Sequence, residues 1–263
     1  MKDILIDTNR RKPLSVNPEE FYTDIYNMAV FTYEDLYLGL PMIFNQSGKY
    51  APGWGGNSDG ILYPAFIASR DKNLQKWDRL NRQPFIPLSG LSDKFNYDYG
   101  MISSMPPVNH NDELWFYYNG SRYTHLTKEI KDKLINKPGE PKHAIFLARL
   151  RIDGFASLFA GKESGTVLTV PVKVTGPRLF VNVDAGKGKL LTEILDAETR
   201  KPIKGYSFAD NTEKDVAVPV CENKISVPVK WIEKNDVSEL LGRKILLYFS
   251  LENAHLYSFW FDD

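Results

Sequence analysis

At 263 residues with 43% hydrophobic side chains, the chain is long enough for one large or two ordinary domains and apolar enough to fill their cores. Lysine plus arginine and aspartate plus glutamate stand at 33 each, so no positive excess exists to hold a phosphate backbone, and nucleic acid is not an expected partner. No run of ~18 apolar residues occurs and Met1 to Arg10 has no apolar stretch, so the sequence predicts neither a membrane partner nor an export signal.

Sixteen prolines, 18 glycines and 13% aromatic residues favour many short strands over long helices, and an all-β fold is expected. Asn17-Pro18-Glu19-Glu20 predicts one helical turn at most, because the β-rich run from Tyr26 to Tyr33 follows at once. A hairpin is then predicted: a strand headed by Asp24, the acidic turn Glu34-Asp35, and a return along Leu36-Tyr-Leu-Gly-Leu40. Trp54-Gly-Gly-Asn-Ser-Asp59-Gly60 reads as a connecting loop.

A second unit of the same kind runs from Asp98-Tyr-Gly-Met101 through Asn111-Asp112-Glu113 to Leu114-Trp-Phe-Tyr-Tyr118. Phe66-Ile-Ala-Ser-Arg70 finds an echo in Phe146-Leu-Ala-Arg149. A repeat of about 75 residues with several strands per copy suggests propeller blades. Between Tyr118 and Phe146, Thr127 to Lys137 carries apolar residues at near-helical spacing and ends at Pro138, which predicts a short surface helix.

After Asp153-Gly154 the pattern changes. Val167 to Val172, Arg178 to Val183, Leu190 to Leu195, Ile225 to Trp231, Ile245 to Leu251 and His255 to Phe261 read as short strands of an antiparallel sandwich. Ala185-Gly-Lys-Gly188 reads as a hairpin turn, since no Ser/Thr or helix follows to make it a phosphate loop. Alternation from Leu256 to Phe261 puts Tyr257, Phe259 and Phe261 on one face, and Leu256, Ser258 and Trp260 on the other. Asp236 to Gly242 reads as a short helix with Asp236 as cap, Glu239 as its capping-box partner and Gly242 as terminator. The division expected is a partial, two-blade propeller over residues 1–152 and a β-sandwich over 153–263.

Cys221 is alone, which excludes an internal disulfide and predicts a buried, inert thiol. His110, His125, His143 and His255 have no spacing that puts two on one face, and no cofactor or metal motif is present, so none is expected.

From Tyr22 to Phe261, the order of features resembles the C-terminal part of a bacterial glycoside-hydrolase-like family related to glycoside hydrolase families 32 and 43, a five-bladed propeller followed by a β-sandwich. The residues that carry this are Asp24-Ile-Tyr26, Tyr33-Glu-Asp-Leu-Tyr-Leu38, Ala68-Ser-Arg-Asp71 with Trp77, Asp98-Tyr-Gly-Met101, Arg151-Ile-Asp-Gly-Phe155, Leu168-Thr169, Asn182, Pro202-Ile-Lys-Gly-Tyr-Ser207, Gly242-Arg243 and Leu256-Tyr-Ser-Phe259. Ser69-Arg-Asp71 with Trp77 is also similar to the Ser-x-Asp-x-Gly-x-x-Trp box of sugar-processing propellers, with one extra residue and Asn73 in place of Gly. Its ordinary role is structural, with Asp71 accepting bonds from turn amides.

The resemblance implies a saccharide ligand near the propeller axis, held by Asp24 and Asp98 with the neighbouring Tyr26 and Tyr99, and with Trp54 on a rim loop. The plainer alternative makes the aspartates strand-end carboxylates and the aromatics packing residues. Glycoside hydrolysis needs two carboxyl groups across the scissile bond. The family's nucleophile, stabiliser and general-acid segments have no counterpart here, so little or no catalysis is expected of the chain by itself. A non-catalytic carbohydrate-binding or surface-interaction module is the alternative, with Trp231, Tyr257, Phe259 and Trp260 as available aromatics. Two blades cannot close a ring, so missing N-terminal blades or self-association through exposed blade edges is the expected complement.

Overall fold

The computed structural model describes residues 22–48, 59–80, 82–87, 99–102, 106–121, 125, 143–208 and 217–262. The fold is all-β, built from antiparallel sheets. The chain divides into two compact units, Met1–Leu150 and Arg151–Asp263. The expected turn at Asn17, the loop at Trp54 and the helix from Thr127 fall outside the described residues, apart from Asp59 and Gly60 of that loop.

The first sheet of unit 1 centres on β2 (Leu36–Gly48), flanked by β1 (Tyr22–Tyr33) on one side and by β3 (Asp59–Pro64) and β4 (Ile67–Ser69) on the other. Leu38 to Phe44 is a continuous apolar run, buried on both faces, as a central strand requires. Pro41 is unusual there because it has no N–H to give a ladder. The structure accommodates it with a bulge in β1 between Ile25 and Met28, and with the break between β3 and β4, where Ala65 N–H donates to the Pro41 carbonyl at 2.9 Å.

The second sheet repeats the plan. Its centre is β7 (Glu113–Ser121), flanked by β5 (Tyr99–Ile102) and β6 (Val108–His110) on one side and β8 (His143–Arg151) on the other. Pro106-Pro107 falls in the break between β5 and β6. Both hairpins close through two residues whose first member has positive φ: Glu34 at 49° before Asp35, and Asn111 at 54° before Asp112. The echo also has a structural counterpart, since β4 and β8 each pair with their central strand. Phe31 meets Phe116 at 6.5 Å, and Phe85 joins Phe116 at 5.4 Å and Phe66 at 5.9 Å, so an aromatic seam joins the two sheets.

Unit 2 has two four-stranded sheets. In one, β15 (Lys244–Glu252) is flanked by β13 (Lys189–Asp196) and, on its other side, by β10 (Gly165–Leu168) and β11 (Val172–Lys173). The other runs β14 (Asn223–Pro228), β12 (Arg178–Asp184), β16 (Ala254–Asp262), β9 (Leu158–Ala160). Leu179, Val181 and Val183 from one sheet and Ile245, Leu247 and Phe249 from the other enter a single core. Trp231 lies inside it, with its indole N–H donating to the Thr192 carbonyl at 2.9 Å.

Four expectations are corrected. Ala185 to Gly188 is not a hairpin turn, because β12 and β13 belong to different sheets; the segment crosses between them, and a side chain at Gly188 would strike the Glu252 carbonyl. The alternation along β16 is broken by a bulge opposite Asn182 and Val183. Leu256 therefore joins Phe259 and Phe261 toward the core, while Ser258 and Trp260 face away. The segment from Asp236 forms only a 3-10 turn, Ser238–Leu240: Leu241 leaves the helical region at φ −51° and ψ 132°, and Gly242 N–H donates to the Val174 carbonyl instead of back into the turn. Asp236 accepts from Ser238 N–H, but Glu239 turns to Lys234 instead of the cap. Cys221 is exposed: Val220 beside it fills the inward position and the thiol points out.

Several collinear motifs have packing roles. The Arg151 guanidinium donates to Asn223 Oδ1 at 2.8 Å and lies 4.4 Å over the Tyr257 ring. The buried Asn182 amide donates to the Ile152 carbonyl at 2.7 Å. Gly205, at φ 88°, makes the turn that buries Tyr206 against Trp231.

Candidate functional site

At the start of β1, alternation separates Thr23 from Asp24. Thr23 Oγ1 donates to Asn45 Oδ1 at 2.8 Å on one face. On the other, Asp24 Oδ2 accepts from the buried Gln46 amide at 2.6 Å, which fixes the carboxylate against the end of β2. The bulge follows directly and swings Tyr26 onto the Asp24 side. Its ring stands edge-on to Phe44 at 5.8 Å and to His125 at 5.3 Å, and Phe44 meets His125 at 4.9 Å. Tyr26 remains 47% exposed, so its ring is available to solvent while held by its neighbours.

His125 N–H donates to the Gly60 carbonyl at 2.8 Å, and Gly60 pairs with Gln46. A side chain at Gly60 would collide with the Asn45 carbonyl and the Phe44 ring, so only glycine lets β3 begin there. This bond ties the segment after β7 to the start of β3. Because Ser121 at the end of β7 pairs with Tyr99, the start of β5 is at that same end of the sheets.

Of the residues expected to form the site, Asp24 and Tyr26 share one face. Tyr99 is located by its backbone in β5, and Asp98 and Trp54 lie outside the described residues. Counted from the turns, Phe44 and Ser121 are each the ninth residue after Asp35 and Asp112, and their partners are Asp24 and Tyr99. The register thus matches Tyr99 with Asp24. Sequence reasoning missed Gln46, Phe44 and His125: the histidine was examined only for metal spacing, and the glutamine's role depends on register across 22 residues. The cluster combines a carboxylate, a primary amide, a phenol and an imidazole beside an accessible ring, a set that can hydrogen-bond hydroxyl groups and stack on an apolar ring face.

The Ser69-Arg-Asp71 box is a structural turn. Asp71 accepts from the amides of Asn73 at 3.0 Å, Gln75 at 3.0 Å and Lys76 at 3.2 Å, and the Asn73 bond leads in holding its carboxyl below the usual range. Ser69 Oγ donates to the Lys76 carbonyl, and the Trp77 indole donates to Leu74. Among the described residues, no cluster of three or more histidine, cysteine or acidic side chains could hold a metal ion.

No family model, no curated protein and no solved structure matches the chain.

Proposed function

We propose that this chain is a glycoside-hydrolase-like, carbohydrate-active protein that holds a saccharide at Asp24, Gln46 and Tyr26 with little or no turnover. On this reading the two like sheets of unit 1 are blades of an incomplete propeller, and unit 2 is the accompanying sandwich. The observation that carries it is the Asp24 carboxylate, fixed by the Gln46 amide beside the half-exposed Tyr26 ring. Sugars are bound by this pairing of charged hydrogen-bond acceptor and ring face. Hydrolysis needs two carboxyl groups across the scissile bond, and the segments that supply them in the resembling family have no counterpart in this sequence, so binding with little or no turnover is the expectation.

The test is calorimetric titration with a panel of monosaccharides and oligosaccharides, together with release of reducing sugar from the same panel. At least one member should bind, and Tyr26→Ala and Asp24→Asn should each weaken it by about tenfold, equivalent to about 1.4 kcal/mol, with the circular-dichroism spectrum unchanged. A panel with no binder, or a binder indifferent to both substitutions, rejects the proposal. Efficient turnover rejects its non-catalytic part.

A further inference from the structure

Unit 1 contains one finished sheet-to-sheet interface and, at its two ends, the two halves of another. The hairpin turns supply a common origin for the comparison. Leu38 and Leu40 stand three and five residues after Asp35, as Trp115 and Tyr117 stand after Asp112; Phe31 and Val108 each stand three residues before the turn. In the first sheet this face is covered. Leu38, Leu40 and Phe31 are buried, and Phe31 touches the second sheet through Phe116.

In the second sheet the equivalent face is open. Val108 is 50% exposed and Tyr117 46%, and β8 adds Leu147 and Ile145, the latter 80% exposed. The Arg149–Glu113 ion pair at 3.7 Å fixes the side of β8 concerned, since Arg149 alternates with Ile145 and Leu147 and Glu113 with Trp115 and Tyr117. The complementary half is uncovered along β1, while Gly39, Pro41 and Ile43 across the same face are buried, with the Trp77 ring against Gly39. The second sheet meets the first with Leu114 and Phe116, whose counterparts in the first sheet, Tyr37 and Gly39, share a face with Ile25, Met28 and Val30 of β1. Those three apolar side chains are exposed. Exposed apolar side chains gathered on one face of a sheet in this way mark an interaction site.

We infer that the open face of the second sheet receives the β1 face of the first sheet of another copy of this chain, continuing the internal seam from molecule to molecule. The two surfaces differ, so the contact is heterologous, running head to tail. The inference stands independently of the saccharide proposal, because it uses neither Asp24 nor Tyr26.

Sedimentation velocity of the full chain across a dilution series tests it, with Ile25→Arg and Ile145→Arg as variants; both side chains are exposed, so both variants should keep the wild-type circular-dichroism spectrum. The wild type should self-associate as concentration rises, and each substitution alone should weaken association by about tenfold or more. An equimolar mixture of the two variants should form a dimer and nothing larger, because one keeps an intact second-sheet face and the other an intact β1 face. A wild type that stays monomeric, an association indifferent to both substitutions, or a mixture that remains monomeric overturns the inference.

Discussion

Thr192→Val should make unit 2 more stable. Thr192 faces the core on β13 between Leu190 and Ile194, is 1% exposed, and among the described residues its hydroxyl has no hydrogen-bond partner. Its own carbonyl, by contrast, is engaged by the Trp231 indole. A buried hydroxyl without a partner costs about 1–3 kcal/mol by mutational measurement, and the methyl that replaces it adds roughly 0.8 kcal/mol of apolar burial. Small adjustments of the surrounding packing take back part of this, leaving a net gain of about 1–2 kcal/mol. For a unit of this size that corresponds to a rise in Tm of about 5–10 °C. Because the chain has two units and a single transition cannot be assumed, the measurement is native-state hydrogen exchange of the β13 amides, supported by calorimetry. An unchanged or lowered stability refutes the reasoning, and would mean that the hydroxyl is satisfied by bound water.

Trp231→Phe should act in the opposite direction at the same place. It strips the Thr192 carbonyl of its donor and leaves a void where the indole lay, for a loss of about 3 kcal/mol in the same exchange experiment. Asp71→Asn should weaken the turn after β4 at neutral pH. The folded carboxyl titrates below its unfolded value, chiefly through the Asn73 amide, so its contribution is complete above about pH 4 and fades as pH falls through the folded pKa. Urea unfolding of the two proteins should therefore converge in acid, and a difference that grows toward low pH contradicts this. Cys221 should react with an aromatic disulfide reagent in the native protein nearly as fast as in urea, since the thiol is exposed; protection in the native state refutes that placement.

The strands of unit 2 were legible because turn residues bracket each apolar run, and both hairpin turns of unit 1 were legible because acidic or amide residues separate two β-rich segments. Sheet membership was not. Ala185-Gly-Lys-Gly188 has the same composition whether it joins neighbours in one sheet or crosses to the other, and only the pairing of β13 with β15 decides between them. The helix signal at Asp236 failed for a related reason: cap and terminator were both present, but the Val174 carbonyl took the Gly242 amide that a helix would have turned inward. The expectation for Cys221 rested on the general tendency of cysteine to be buried, which the inward position of Val220 overrides locally.

Bulges account for what alternation alone could not give. On β1, Ala29 and Phe31 must face the second sheet, and strict alternation back from them would place Ile25 and Thr23 on that side and turn Asp24 away. The extra residue between Ile25 and Met28 resets the parity, so Asp24 lies across from Phe44 while Phe31 still lies across from Leu38. One strand thereby carries a polar cluster at its beginning and an apolar seam at its end, on a single face. The bulge in β16 does the equivalent for unit 2, keeping Leu256, Phe259 and Phe261 in the core despite their uneven spacing. In both cases the irregular residue is an aromatic next to the break: Tyr26, held by Phe44 and His125, and Tyr257, stacked under Arg151.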